Sequence, residues 1–216
     1  MKAAQKSDKS KVIDILAQSF EENPTLNFMV GDTKNKKNRI RAIAEYAFDY
    51  AIKRDGVFLS DNENGAAICY KFNRRKNDLH DLVLLCKMIW SGLDFHKFFD
   101  INNHVNQIKK ERPVHGDYLY FWFFGVDPHE YPRTSAHELY KELFLQSRKK
   151  QLDIYAETTI ERNKNIYVRF GFEVYKTWYN PINGITVWFM KRSHKKPLKL
   201  PRKKKEAKET MIVYRN

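Results

Sequence analysis

Cysteine is scarce: Cys69 and Cys86 are the only two in 216 residues. They form no Cys-x-x-Cys pair and have no histidine set nearby, which argues against a structural zinc site and suits a reducing compartment. Both read as small packing residues. Long apolar runs are also lacking. No stretch approaches the roughly 20 residues needed to cross a bilayer, and Met1-Lys-Ala-Ala-Gln-Lys-Ser7 has no apolar signal core. The expectation is a cytoplasmic protein without a transmembrane segment. His80, His96 and His104, in the centre of the chain, stand at no metal-ligand spacing, so no metal is expected. There is no internal repeat and no reason to divide the chain into two globular domains.

What is present is apolar and aromatic material in quantity. An apolar content of 42% with 14% aromatics suffices for the core of one large domain. The formal charge of +14 is unevenly spread. From Lys191 onward eleven Lys and Arg face Glu206 and Glu209, which leaves about +5 on the first 190 residues, ordinary for a soluble domain. The tail, with Pro197, Pro201 and Arg202-Lys-Lys-Lys205, is expected to be a flexible basic extension over 193–216. It is either a solvated end or an electrostatic contact for an anionic polymer or membrane surface.

In chain order, Ser7 or Asp8 can cap a first helix whose Val12, Ile13, Ile15, Leu16 and Phe20 repeat at helical spacing. It ends near Asn23-Pro24, and an apolar connection with Leu26, Phe28 and Met29 follows. Lys36 to Lys53 is a second amphipathic helix. Val57–Ser60 and Ala66–Phe72 read as an antiparallel hairpin around Asn64-Gly65. Leu79–Trp90 and Phe95–Arg112 read as two helices of an insert spanning about 77–112. The aromatic strand Tyr118-Leu-Tyr-Phe-Trp-Phe-Phe-Gly-Val126 then breaks at Asp127-Pro128. A helix from Arg133 to Lys150, a strand Leu152–Glu157, a short helix Arg162–Arg169 and a terminal hairpin, Phe172–Trp178 with Ile185–Lys191, complete the chain.

That order resembles the GNAT superfamily of acyl-CoA-dependent N-acetyltransferases, as do the aromatic strand ending in Gly-Val-Asp-Pro and the series Glu157-Thr…Arg162-Asn163…Tyr167…Phe170-Gly-Phe172. The resemblance covers about Lys9 to Arg192. It implies a mixed α/β fold: a central, mostly antiparallel sheet with one parallel, splayed strand pair and helices on both faces. It also implies acetyl-CoA as co-substrate and direct transfer to a primary amine, on a small molecule or a peptide, in a ternary complex.

The resemblance assigns site residues as well. The pantetheine arm would pair with backbone groups of Phe124, Gly125 and Val126. The family's phosphate loop falls on Tyr131, Arg133, Thr134, Ser135 and Ala136, with Tyr131 where Gln or Arg is usual and Thr134 at the first Gly; only Ala136 fits the pattern. Pro132 removes one N–H donor. Asn163 matches the position that holds the pantetheine, and Tyr167 the phenol that protonates the departing thiolate. Glu157 is the candidate general base, with His129 and Glu130 as weaker ones. Packing of Tyr167 against Phe170 and a structural Glu157 are the alternatives. For the whole chain, the alternatives are a CoA-binding sensory domain without catalysis and a polyanion binder acting through its tail.

Overall fold

The structure, a computed structural model, describes residues 1–72, 78–114, 116–127 and 132–197, at 132 and 133 by backbone alone. Its seven strands are β1 Lys2–Ala3, β2 Val57–Leu59, β3 Gly65–Lys71, β4 Leu119–Val126, β5 Ile154–Thr158, β6 Glu173–Asn180 and β7 Ile185–Arg192. They form one sheet in the order β1-β2-β3-β4-β5-β7-β6. Every neighbouring pair is antiparallel except β4 with β5. The helices are α1 Lys9–Ser19, α2 Pro24–Val30, α3 Lys36–Ile52, α4 Leu79–Gly92, α5 Phe98–Lys110, α6 Pro132–Lys150 and α7 Glu161–Arg169. No described helix is long and apolar enough to cross a membrane.

The sheet is covered on both faces. On one, Val12 and Leu16 of α1 and Ile40 and Phe48 of α3 pack against Leu59, Ile68, Tyr120 and Phe123. On the other, Leu139, Leu143 and Phe144 of α6 pack against Phe121, Ile154 and Met190. Each such side chain, buried, contributes about 1.5–3 kcal/mol. This double cover explains why β4 reads as unbroken apolar sequence.

Three features differ from the sequence reading. The connection after Asn23-Pro24 is a helix, α2: the Asn23 side chain accepts from Leu26 N–H at 3.1 Å and Pro24 occupies the first turn. Those two residues start a helix as well as ending one. β1 leaves no signal in the sequence, because two residues carry no periodicity. Residues 193–197 are fastened to the domain: His194 Nδ1 meets Asp153 Oδ1 at 2.7 Å, and the buried Arg192 reaches Pro197 O at 3.0 Å.

Candidate functional site

β4 and β5 pair over three residues only, Leu119 with Ile154, Tyr120 with Tyr155 and Phe121 with Ala156. Beyond Phe121 the two strands part, and Phe123 to Val126 continue with β3 alone among the described strands. The β3–β4 register slips between Ile68 and Cys69, leaving Trp122 as the extra residue of a bulge. The slip decides which way the backbone faces. Before it, Leu119 N–H goes to Asp153 O at 2.9 Å on the β5 side; after it, Asp127 N–H goes to Asn64 O at 2.7 Å on the β3 side. Antiparallel alternation then directs Gly125 toward Ala66 and turns the N–H and C=O of Phe124 and Val126 into the gap that β5 leaves. An extended amide-bearing ligand could pair there as a partial strand.

Gly125 itself serves the packing of α1. A Cβ at this position would lie 2.6 Å from Ser19 Oγ and 2.9 Å from Ser19 Cβ. Ser19 Oγ donates to Val126 O at 3.1 Å, so the end of α1 is pinned to the rim of the gap. Among the three residues that the resemblance assigns to pantetheine, the backbone therefore aims Phe124 and Val126 at the gap and Gly125 away from it.

Tyr167 stands on the α6 side. Its half-buried ring lies 6.0 Å from Phe121, the last paired residue of β4, and 5.3 Å from Phe172. Burial pushes its phenol up to about 12, against a hydrogen bond with Tyr140, so it is a neutral proton donor at pH 7. The end of α7 fixes its height. Phe172 N–H returns to Tyr167 O at 2.9 Å around Gly171, whose φ of 88° suits glycine. Arg192 Nε donates to Phe170 O at 3.0 Å while its guanidinium lies 3.8 Å from the Phe144 ring centre. Asn163, also half-buried, sits one turn before Tyr167 on the same helix.

Glu157 is one residue past the last β4–β5 pair and turns to the opposite face. Arg112 Nε donates to its Oε1 at 2.7 Å, and the Tyr120 hydroxyl donates to its Oε2 at 2.7 Å. Arg112 also donates to the Tyr120 oxygen and lies over its ring at 4.2 Å. Burial alone would lower the Arg112 pKa; Tyr120 and Glu157 outweigh it and raise it. Burial drives the Tyr120 phenol well above its ordinary value, so it acts as a donor. The carboxylate is thus held between a permanent cation and a phenol. Sequence reasoning missed both partners: Arg112 comes from the end of the insert, 45 positions from Glu157, and no local pattern signals such a pairing.

The phosphate-loop positions are only partly described. Tyr131, His129 and Glu130 lie outside the described residues, and of Arg133 only the backbone is described. Thr134 is exposed, Ala136 is buried, and Ser135 is buried with its hydroxyl donating to Asn62 Oδ1 at 2.9 Å. That hydroxyl ties α6 to the β2–β3 turn. A helix start in general leaves its first N–H groups without an intrahelical acceptor, which is what an anion site uses; in α6 Pro132 supplies none.

Phe28, the insert and Trp178 meet in a packed cluster. The buried His104 ring lies 5.8 Å from Phe28 and 5.2 Å from Trp178, and its Nδ1 meets Asn180 Nδ2 at 2.9 Å. Asp78, His80 and Asp81 approach one another at the start of α4, but Asp81 is taken by Arg54 at 2.8 Å and Lys53 at 3.1 Å.

No protein-family model matches the sequence, and no curated protein matches it. Solved structures do match the fold. A Corynebacterium glutamicum protein described as histone acetyltransferase HPA2 and related acetyltransferase superposes with a TM-score of 0.62 at 16% identity, over 94% of this chain and 97% of that one. Arylalkylamine N-acetyltransferase 2 from Aedes aegypti gives 0.62 at 11% identity, over 89% and 97%. The C-terminal condensation domain of Ebony, solved with beta-alanyl-dopamine, gives 0.60 at 14%, over 88% and 96%.

Proposed function

On a chain whose fold is that of the GNAT acetyltransferases, we propose that the protein transfers an acetyl group from acetyl-CoA to a primary amine. The observation that carries this reading is the parting of β4 from β5 after Phe121, with the bulge at Trp122 turning Phe124 and Val126 into the opening. The opening fits an amide-bearing arm, and the start of α6 offers N–H groups to phosphate. Acetyl-CoA, when bound, supplies the activated thioester.

The residues divide the work by face. Phe124 and Val126 hold the arm by backbone pairing, and Asn163 orients it from α7. Tyr167, neutral at pH 7, gives its proton to the leaving sulfur, a contribution of about two to four orders of magnitude in rate. Glu157, on the other face, takes the proton from the incoming amine, directly or through water, while Arg112 and Tyr120 fix its orientation. Neighbours that act on arylalkylamines or hold beta-alanyl-dopamine support a small amine as acceptor. Release of CoA thiol in the presence of an amine library tests the reading, and no release with any amine contradicts it.

A second reading is favoured by the first turn of α6. With the Ser135 hydroxyl spent on Asn62 and Thr134 in place of a glycine, the helix start could bind CoA without supporting turnover, as in a sensory domain. Binding without CoA release would select it.

A further inference from the structure

His104, on α5, is only 1% exposed, and the turn between β6 and β7 holds its imidazole in one protonation state. Asn180 Nδ2 lies 2.9 Å from the ring Nδ1, and Asn183 Nδ2 lies 3.4 Å from it. Neither amide can turn round without loss, because Asn180 Oδ1 accepts from Ile182 N–H at 3.0 Å and Asn183 Oδ1 from Ile185 N–H at 3.0 Å. Both asparagines therefore present N–H donors, and Nδ1 is the acceptor. The proton of the neutral ring sits on Nε2, a buried atom with no hydrogen-bond partner among the described residues. A second proton would go on Nδ1, facing two donors. The imidazolium would then have no acceptor at either nitrogen, in a place where burial already pushes the pKa down.

No neighbouring charge offsets that penalty. α2, packed on the ring through Phe28, contains no ionisable residue, and neither does the turn 181–184. On the face of β6 that carries Trp178 and Asn180, Lys176 is paired with Glu111. On the matching face of β7, Lys191 is paired with Asp153, and Glu157, opposite Phe189, is taken by Arg112. Asp100 lies one turn before His104 on α5 with no hydrogen bond to the ring, and Lys97 adds a cation 5.9 Å from the Phe28 ring centre. The contact also has reach along the helix. α5 is fastened to β6 by polar groups at two places: at His104, and just past its end, where Glu111 O accepts from the Tyr175 hydroxyl at 3.1 Å and the Glu111 carboxylate pairs with Lys176 at 2.8 Å. Arg112, the next residue, holds Glu157. Loss of the first fastening leaves α5 tied at its far end.

We propose that His104 is a pH-sensitive latch: neutral, it fastens α5 to the β6–β7 turn, and protonated, it lets the helix go. The latch is independent of the acetyltransferase reading, since it fastens the insert whether or not a ligand occupies the β4–β5 gap. The test is hydrogen exchange of the full chain, read by mass spectrometry at pH 7.5 and pH 5.5 and corrected for the intrinsic pH dependence of exchange. A lowered folded-state pKa gives stability that is present above the unfolded value, about 6.5, and is lost as pH falls below it. At pH 5.5 residues 98–110 should lose protection by about three- to tenfold while α3 keeps its own. His104→Asn keeps an acceptor where Nδ1 stood and cannot be protonated, so its α5 should exchange alike at the two pH values. Asn180→Asp offers the imidazolium a carboxylate and retains the acceptor for Ile182 N–H; its α5 should stay protected at pH 5.5. Unchanged protection of wild-type α5 overturns the proposal. An equal loss in α3 overturns it too, because the whole fold would then be loosening in acid. A loss as large as that of the wild type in either variant overturns it equally, so Asn180→Asp decides alone if His104→Asn does not fold.

Discussion

Glu157 and Tyr167 stand on opposite faces of the sheet at the level where β4 and β5 part. The carboxylate is bonded to Tyr120 on the α1–α3 side, and the phenol packs against Phe121 on the α6 side. Tyr120 and Phe121 are consecutive residues of the same strand, so the pleat itself separates the two groups. A ligand passing through the opening would meet a proton donor on one side and an acceptor on the other.

Replacing Tyr167 by Phe keeps the ring and its packing while removing the proton. Turnover should fall by about two to four orders of magnitude with acetyl-CoA binding changed little. Equal loss of binding and turnover would assign Tyr167 to holding the ligand instead. Because burial pushes the phenol up to about 12, its ionisation should produce no loss of activity between pH 7 and 10.

Replacing Glu157 by Gln should lower turnover while acetyl-CoA still binds. Arg112→Ala should destabilise the fold by about 3–5 kcal/mol, because it leaves a mostly buried carboxylate without its cation. Combined with Glu157→Gln, the loss should be smaller than the sum of the two, as measured by urea denaturation. Additive losses would mean that the pair is not coupled.

Gly125→Ala places a methyl group against Ser19 and should cost about 1–3 kcal/mol, read from the shift in the urea midpoint. An unchanged midpoint would show that α1 can retreat from the strand at no cost.

How much of this was legible in the sequence depends on the range of the signal. α3, α6 and the terminal hairpin follow from local periodicity and turn residues, whereas Asn163 and Tyr167 come from the family resemblance, local periodicity adding only that they lie one turn apart on a helix. The bulge at Trp122 is hidden, because a run of aromatics from Tyr118 to Phe124 gives no alternation whose phase could be seen to slip. The Arg112–Glu157 pair is hidden because it joins an insert to a strand far along the chain. The opposed faces of Glu157 and Tyr167 emerge only once the sheet order is known.

Acid should loosen the start of β5 at Asp153, where it is tied to β7. Burial would raise this carboxyl, but hydrogen bonds from Lys191 and His194 prevail and hold it down to about 2. A lowered folded-state value stabilises the fold above the unfolded pKa, near 4, and that contribution is lost as pH falls toward 2. With solvent screening of this partly exposed group, it amounts to about 1 kcal/mol. Asp153→Asn should therefore lower stability at pH 7 and flatten its decline between pH 4 and 2; an unaltered acid profile would contradict this assignment.

The central claim, that the opening between β4 and β5 is built for acetyl-CoA, is tested most directly by calorimetric titration of the full chain with acetyl-CoA. Saturable binding of one molecule per chain, with a Kd in the range of about 1 μM to 1 mM, is the predicted result. No heat and no rise in melting temperature at millimolar ligand would contradict it.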